Sequence, residues 1–568
     1  MKPTDEQLRA IEKEGNLIVS AGAGSGKTAV LSRRVLHFIK NKGFKISEFL
    51  IVTFTNLAAS EMKERIRKIL AKENLEDANE VDTADICTFD SFAFSLVKKY
   101  HFHLGLPADV GIIDENIIGV RVHTLINDIF NRYYLKGDNE VFNNMIEKYC
   151  LTDDDILQKL TYKMYKYFAS QINSYKAMNE YVSIHTNTSF IEENIIKPII
   201  NKINEHRKYV ENTIPFFPQE QVKKKEKETY FEAINAAFSN FLHASDDYNV
   251  LIETCPTGIP FLIKTSAENS EIMKEFKKEH GDFVTKFLSL LPSDKESIYK
   301  SIQENIPMFN LLVDIVREVN NDIMEFKKKY NVYSFDDIQR MALNLLRENE
   351  SIKEEIKSKY KMIMIDEYQD TSLVQESFID LIANNNLYMV GDIKQSIYRF
   401  RNAKCELFQN RYDLYKGNVE GHVIDMNTNF RSRGQVLNPI NVIFSEIMIP
   451  DFGGINYIAN HIIEVGNKAY SKETNDIENN NIEVLEVLYD SKKHDQVNFE
   501  AHAIANDIIH KINSKYQVAT YVNEEMILRD CSFSDFCILI SKSTDFNYFY
   551  KIFNKIYILI KTSFLLDF

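Results

Sequence analysis

The chain lacks the marks of secreted, metal-stapled and membrane-spanning proteins. Its six cysteines are scattered and contain no Cys-x-x-Cys pair, which argues against a disulfide framework or a zinc site and fits a reducing, cytoplasmic setting. The opening residues, Met1-Lys2-Pro3-Thr4-Asp5-Glu6-Gln7, hold no apolar signal region. No apolar run is long enough to span a bilayer, so no membrane partner is expected. Positive charge is short as well. The formal net charge is −14, so a nucleic-acid partner would have to find a local basic groove. What is present is a soluble, globular composition, 44% hydrophobic and 26% charged. At 568 residues the chain exceeds a single core, and length alone suggests about three or four structural units.

One stretch organises the rest. An apolar run, Leu17-Ile18-Val19, leads into Ala21-Gly22-Ala23-Gly24-Ser25-Gly26-Lys27-Thr28, and a helical pattern follows through Val30, Leu31, Val35 and Leu36. Strand, glycine-rich loop and helix in that order make an anion cradle. Glycines let the backbone wrap phosphate oxygens, successive N–H groups point inward, and the new helix adds its positive end. Lys27 is then placed for the β- and γ-phosphates of ATP and Thr28 for Mg²⁺. The strict pattern asks for glycine where Ala21 stands.

Upstream, Thr4 and Gln7 have the spacing of a helix capping box. The amide of Gln7 can equally pair with the edge of adenine. Downstream, strand and helix alternate as in a parallel α/β sheet, where ligands gather at the carboxyl ends of the strands. Those ends carry Thr53, Thr55, Asn56, Thr88, Ser91 and Phe92. From about residue 101 to 330 the pattern turns helical, with few glycines, and reads as an insertion. Lys223 to Glu228 mixes charges and reads as a solvated helix face. Cys255 to Pro260 reads as a loop, and Ser334 with Asp337 as a second capping box.

The α/β pattern then returns. The apolar run ending at Ile365 leads into Asp366-Glu367-Tyr368-Gln369-Asp370-Thr371. Asp366 is placed to hold Mg²⁺ opposite Thr28, and Glu367 to orient and deprotonate water. After Leu387 to Val390 comes Gly391-Asp392-Ile393-Lys394-Gln395-Ser396-Ile397-Tyr398-Arg399-Phe400-Arg401. Here Gln395 can sense a γ-phosphate. The interleaved aromatic and cationic groups can stack bases, with Phe400 the one assigned to core packing. Arg431 can serve as an arginine finger or sit in an ordinary surface ion pair. From residue 421 the chain reads as the start of a second α/β unit. Asn475 to Asn481 is read as a loop, Ile482 to Leu488 and Phe536 to Ile540 as strands, Phe499 to Ile512 as a helix, and Tyr557 to Lys561 as an apolar tail.

Together these stretches resemble the superfamily-one DNA helicases of the UvrD/Rep type, and within them the AddA group of bacterial helicase–nucleases. Val390 to Arg401, Asn429-Phe430-Arg431-Ser432-Arg433 and Thr53 to Lys63 carry the resemblance. It implies a RecA-like P-loop NTPase domain, residues 1–100 and 331–420, split by a helical insertion at 101–330 and followed by an incomplete second RecA-like domain at 421–568. An Ala21 start is normal in that family. The resemblance implies adenine contact by Gln7 and γ-phosphate contact by Gln395 and Arg431. It places Thr55, Asn56 and Tyr398 along a single-strand track, and Asp90 where the family usually has histidine. It further implies ATP and Mg²⁺ as cofactors and 3′-to-5′ translocation on single-stranded DNA or from duplex ends. An AddB-like nuclease subunit would be the partner. The family's later motifs, including a second catalytic arginine and a RecB-like nuclease domain, do not occur before Phe568, so the chain is expected to be the front half of such a protein. A different reading is an ATP- and DNA-binding remnant or regulatory module without unwinding activity. A P-loop kinase is disfavoured by the Asp-Glu-x-Gln-Asp and Gly-Asp-x-x-Gln-Ser pairing.

Overall fold

The structure is a computed structural model that describes residues 3–150, 152–219, 228–261, 263, 269–417, 419–450, 455–466, 483–488, 495–522, 525–540 and 542–555. It divides into two compact units, Met1–Leu104 with Gln339–Phe568, and Gly105–Ile338. The strands that define them are, in chain order, β1 (Leu17–Ala21), β2 (Phe49–Thr53), β3 (Asp85–Thr88), β4 (Gly111–Ile112), β5 (Val332–Tyr333), β6 (Met362–Ile365), β7 (Leu387–Gly391) and β8 (His422–Met426).

In the first unit, six strands form one parallel sheet in the order β3-β2-β6-β7-β1-β8. Every residue of β1, β2, β6 and β7 is buried. Parallel strands covered on both faces need such unbroken apolar runs, which explains why these segments lack alternation. The covering helices include α1 (Asp5–Glu12), α2 (Lys27–Lys42), α3 (Asn56–Lys72) and α4 (Phe89–Lys99). Val30, Leu31 and Val35 of α2 and Met62, Ile66 and Leu70 of α3 pack on Leu17, Val19, Ile51, Met364 and Val390. Each such side chain contributes about 1.5–3 kcal/mol by leaving water. Because all six strands run the same way, the loops after them meet at one edge.

Three expectations are corrected. The boundary drawn at residue 421 precedes β8, yet β8 pairs with β1 from Leu17↔His422 to Ala21↔Met426, so the first sheet continues through Met426. Among the described residues beyond it, strands form only two two-stranded pairs. Residues 483–488 and 536–540 are irregular rather than extended in a sheet. Among the described residues no neighbouring strand takes up their backbone groups, and backbone pairing is what makes an apolar alternation a strand. Phe536 and Ile538 pack instead against a small core shared by the helices Gln496–Asn513 and Phe546–Lys555. The stretches Lys223–Lys227, Asn475–Asn481 and Tyr557–Lys561 lie outside the described residues.

The second unit is helical, with β4 and β5 as its single strand pair among the described residues. Its longest helix, Lys295–Tyr330, starts at Asp294, whose side chain accepts from the Ser297 N–H at 2.8 Å. Leu312, Val316, Val319 and Ile323 form the buried stripe of that helix. They pack on Val122, Ile126 and Phe130 of Glu115–Lys136 and on Phe168 of Asp155–Ala169. A separate core gathers Val210, Phe238, Phe241 and Phe276. Ser334 and Asp337 form the expected cap, with Ser334 N–H donating to Asp337 at 3.0 Å. Lys327 also binds that carboxylate, in a buried pair.

Candidate active site

The phosphate loop lies between β1 and α2. Gly24 has φ +70°, and a Cβ there would meet the Asn429 amide nitrogen at 2.6 Å, so glycine is required twice over. Asn429 Nδ2 donates to Ala23 O at 2.6 Å, and Phe430 N–H donates to Gly24 O at 2.9 Å. The Asn429 side-chain oxygen Oδ1 accepts from the backbone N–H groups of Arg431 and Ser432 at 2.8 and 2.7 Å. The segment carrying Arg431 is thereby tied onto the loop, while the exposed Arg431 guanidinium has no ion pair among the described residues.

Gln7 closes the expected capping box and reaches the loop as well. Its backbone and Oε1 pair with Thr4, and Nε2 donates to Ser25 O at 2.8 Å. A cavity of ≈ 120 Å³ beside it is lined by Thr4, Gln7, Ser25, Met426 and Phe430, among others. The helix end behind Gln7 is held by Arg34, which sequence reasoning missed. Arg34 is 1% exposed, and Nη1 donates to Ala10 O and Ile11 O at 3.0 and 3.2 Å. Its guanidinium lies over the rings of Phe38 and Tyr388, and burial lowers its pKa to about 10. A cation in an apolar sheet–helix layer was the signal available, but Arg33-Arg34 reads as surface charge in sequence.

The acids come from the end of β6. Asp366 N–H still pairs with Val52 O at 2.9 Å, so its position is that of a strand residue. Burial, with Glu367 beside it, pushes the Asp366 carboxyl up to about 6. Glu367 adopts φ +51°, a left-handed conformation that costs a non-glycine residue about 1–3 kcal/mol and clusters at functional sites. It points at the loop, with Lys27 Nζ 3.0 Å from Glu367 Oε2. The turn is braced from behind, where the Tyr368 hydroxyl donates to Glu376 at 2.8 Å and Arg411 holds the same carboxylate. Gln395 donates to Asp392 at 2.7 Å. The site thus brings Lys27 onto Glu367, with Asp366 adjacent, while Thr28 follows Lys27 at the start of α2 and Gln395 and Arg431 lie on loops of the same sheet edge.

These residues suit a nucleotide with its metal. Ser25 Oγ is buried in the loop without a hydrogen-bond partner among the described residues, a polar atom left for a ligand to satisfy. Lys27 supplies a cation, and Thr28 and Asp366 supply oxygens of the kind Mg²⁺ takes.

A second group lies on the loops after β2 and β7. Tyr398 is tilted against Phe54 at 4.5 Å between ring centroids and lies 5.8 Å from Phe400. The Arg401 guanidinium is 5.7 Å from the Phe54 centroid. Phe400, assigned to the core from sequence, is instead 73% exposed, because the short 3₁₀ turn Arg399–Arg401 turns it outward. Phe92 is corrected the other way. It is 2% exposed and packs edge-on against Tyr360 and Phe378, so it presents no face to a ligand. Thr55 and Thr88 cap α3 and α4, accepting from Ala58 N–H and Ser91 N–H. Asn56 and Ser91 are exposed. Asp90 receives Gln339 Nε2 at 2.5 Å.

A parallel sheet with a phosphate loop after β1 and paired acids after β6 defines a RecA-like P-loop core. The chain belongs to the UvrD/REP helicase family, whose N-terminal domain matches residues 3–416. It is similar to proteins named as the A subunit of an ATP-dependent helicase/nuclease. That of Alkaliphilus oremlandii is 33% identical over 80% of this chain and 40% of its own length. That of Listeria monocytogenes is 30% identical over 91% of this chain and 45% of its own, and that of Staphylococcus haemolyticus 28% over 94% and 46%. The chain spans under half the length of these curated relatives. No helix among the described residues is long and apolar enough to cross a membrane.

Proposed function

We propose that this chain binds ATP with Mg²⁺ at the phosphate loop and uses hydrolysis to move 3′-to-5′ along single-stranded DNA. In this reading it is the motor part of a DNA-repair helicase–nuclease that works in the cytoplasm with an AddB-like partner. The observation that carries the reading is the contact of Lys27 with Glu367, which brings the phosphate loop and the acid pair to one point. Polarity and partner rest on the family resemblance and the relatives' names.

The roles follow from position. Backbone N–H groups of Gly26, Lys27 and Thr28, at the start of α2, cradle phosphate oxygens, whereas Gly22 N–H is spent on Met426 O at 3.0 Å and Ser25 N–H on Gly22 O at 3.2 Å. Lys27 exchanges Glu367 for the β- and γ-phosphates. Its pair with Glu367 is partly exposed, so it is worth under about 1 kcal/mol. Each charge-assisted phosphate contact is worth about 1.5–3 kcal/mol, so the exchange is favourable. Thr28 and Asp366 would hold Mg²⁺, which would supply positive charge against the phosphates. Glu367 orients water and takes its proton. Gln395 and Arg431 donate to the γ-phosphate, and Gln7 and Phe430 hold the base. Phe54, Tyr398, Phe400 and Arg401 form a stacking surface for DNA bases, with Thr55, Asn56, Thr88 and Ser91 along its edge.

Titration calorimetry with ATP and Mg²⁺ tests the first half. Lys27→Ala is expected to weaken binding about tenfold or more, at about 1.4 kcal/mol per decade; unchanged affinity would remove the phosphate-loop assignment. Tyr398→Ala tests the second half. Single-strand affinity is expected to fall by about 1–3 kcal/mol, similarly for different base compositions. A variant that loses stability but keeps DNA affinity would return Tyr398 to a packing role.

A further inference from the structure

Gln369 is 1% exposed, and its amide is used at both ends. Nε2 donates to Glu367 Oε2 at 3.0 Å and to Asp370 Oδ2 at 3.1 Å. Oε1 accepts from the Asp392 backbone N–H at 2.9 Å, and the Gln369 backbone oxygen accepts from the Ser396 hydroxyl at 3.2 Å. The Asp392 carboxylate in turn receives Gln395 Nε2 and Lys394 Nζ, both at 2.7 Å. A continuous hydrogen-bonded path therefore runs from Glu367, on the loop after β6, to Gln395, on the loop after β7. Tyr398 stands two residues beyond Ser396.

The residue at 391 shows how closely this path is fitted. A Cβ on Gly391 would lie 2.4 Å from Gln369 Oε1 and 3.2 Å from the Gln369 backbone nitrogen. Its glycine is required by the passage of the Gln369 side chain. Among the described residues the Glu367 carboxylate has two hydrogen-bond partners, Lys27 and Gln369. Drawing Lys27 away to phosphate leaves the Gln369 amide as the remaining one, and any adjustment of that amide is felt at Asp392 N–H and Ser396. The buried amide cannot break these bonds cheaply, because a buried polar group left unsatisfied bears its full desolvation penalty.

We propose that Gln369 is a positioning residue that ties the Glu367 carboxylate to the Gly391–Arg401 loop, so that nucleotide at Lys27 and a strand on Tyr398 alter each other's binding through it. This rests on the ATP and single-strand reading above. The experiment is a binding cycle that needs no turnover. Affinity for a non-hydrolysable ATP analogue with Mg²⁺ is measured with and without saturating oligo-dT, and affinity for oligo-dT with and without the analogue. In the unaltered chain the two ratios are equal by linkage and are expected at about 5–150-fold. Gln369→Met fills the same space without polar atoms. It is expected to bring the ratio to about one while each separate affinity stays within about threefold. Gly391→Ala, which displaces an intact Gln369, is expected to do the same and stands in if Gln369→Met does not fold. A folded variant that keeps the ratio overturns the proposal, as does an unaltered chain that binds both ligands with a ratio of one. Loss of analogue binding alone in Gln369→Met would overturn it too, by making Gln369 a direct ligand. An unaltered chain that binds neither probe overturns the parent reading instead, and the proposal with it.

Discussion

Arg431→Ala is expected to lower the rate of ATP hydrolysis by about 10³–10⁵, the range an arginine finger supplies. At about 1.36 kcal/mol per decade this is roughly 4–7 kcal/mol of transition-state stabilisation. The anchoring argues for so large an effect. Asn429 and Phe430 fix the backbone beside Arg431 to Ala23 and Gly24 of the phosphate loop, yet the guanidinium itself is exposed. A tethered cation with an exposed head can follow charge that develops on a transferring phosphoryl group. Affinity for ADP is expected to hold, because Arg431 is assigned to the γ-phosphate alone. Arg431→Lys should not restore the rate, since an ammonium lacks the planar fork that meets two phosphate oxygens. Single-turnover hydrolysis with bound ATP separates this from a binding defect. A fall of less than about tenfold in that assay would return Arg431 to an ordinary surface charge.

The parts of this site that were legible in sequence are those whose chemistry is local. Lys27 and Thr28 follow a glycine loop, and Asp366 and Glu367 follow an apolar run, so strand-end position and residue type sit within a few residues of each other. Arg431 needed only its neighbours Asn429 and Phe430 to be noticed. What sequence could not carry is contact across hundreds of residues. The amide of Asn429 reaches Ala23, 406 positions away, and nothing in the local pattern of either announces it. Gln369 looks like a spacer between two acids until Gly391 is seen to make room for it. Phe92 and Phe400 were exchanged for a similar reason. Each sits in a helical turn beside polar residues, and which face of that turn meets the sheet is decided by Tyr360, Phe378 and the Arg399–Arg401 turn. The boundary at residue 421 falls before β8 because only the tertiary pairing shows that His422–Met426 fills the open edge of β1, far back in the chain.

Glu367→Gln is the second large effect, and its two halves run in opposite directions. Hydrolysis is expected to fall by about 10²–10⁴, the contribution of a positioned general base. Nucleotide affinity is expected to hold or rise. The amide keeps the size of the side chain and can still meet Gln369, so the left-handed turn at φ +51° remains supported by Tyr368, Glu376 and Arg411 behind it. What disappears is the negative charge that holds Lys27 at 3.0 Å. Phosphate then no longer competes with a carboxylate for that ammonium. The half-screened pair is worth up to about 1 kcal/mol, so affinity should improve by no more than roughly fivefold. Calorimetry for binding and single-turnover assays for chemistry read the two halves separately. If affinity and rate fall together, the carboxylate belongs to the metal shell with Asp366.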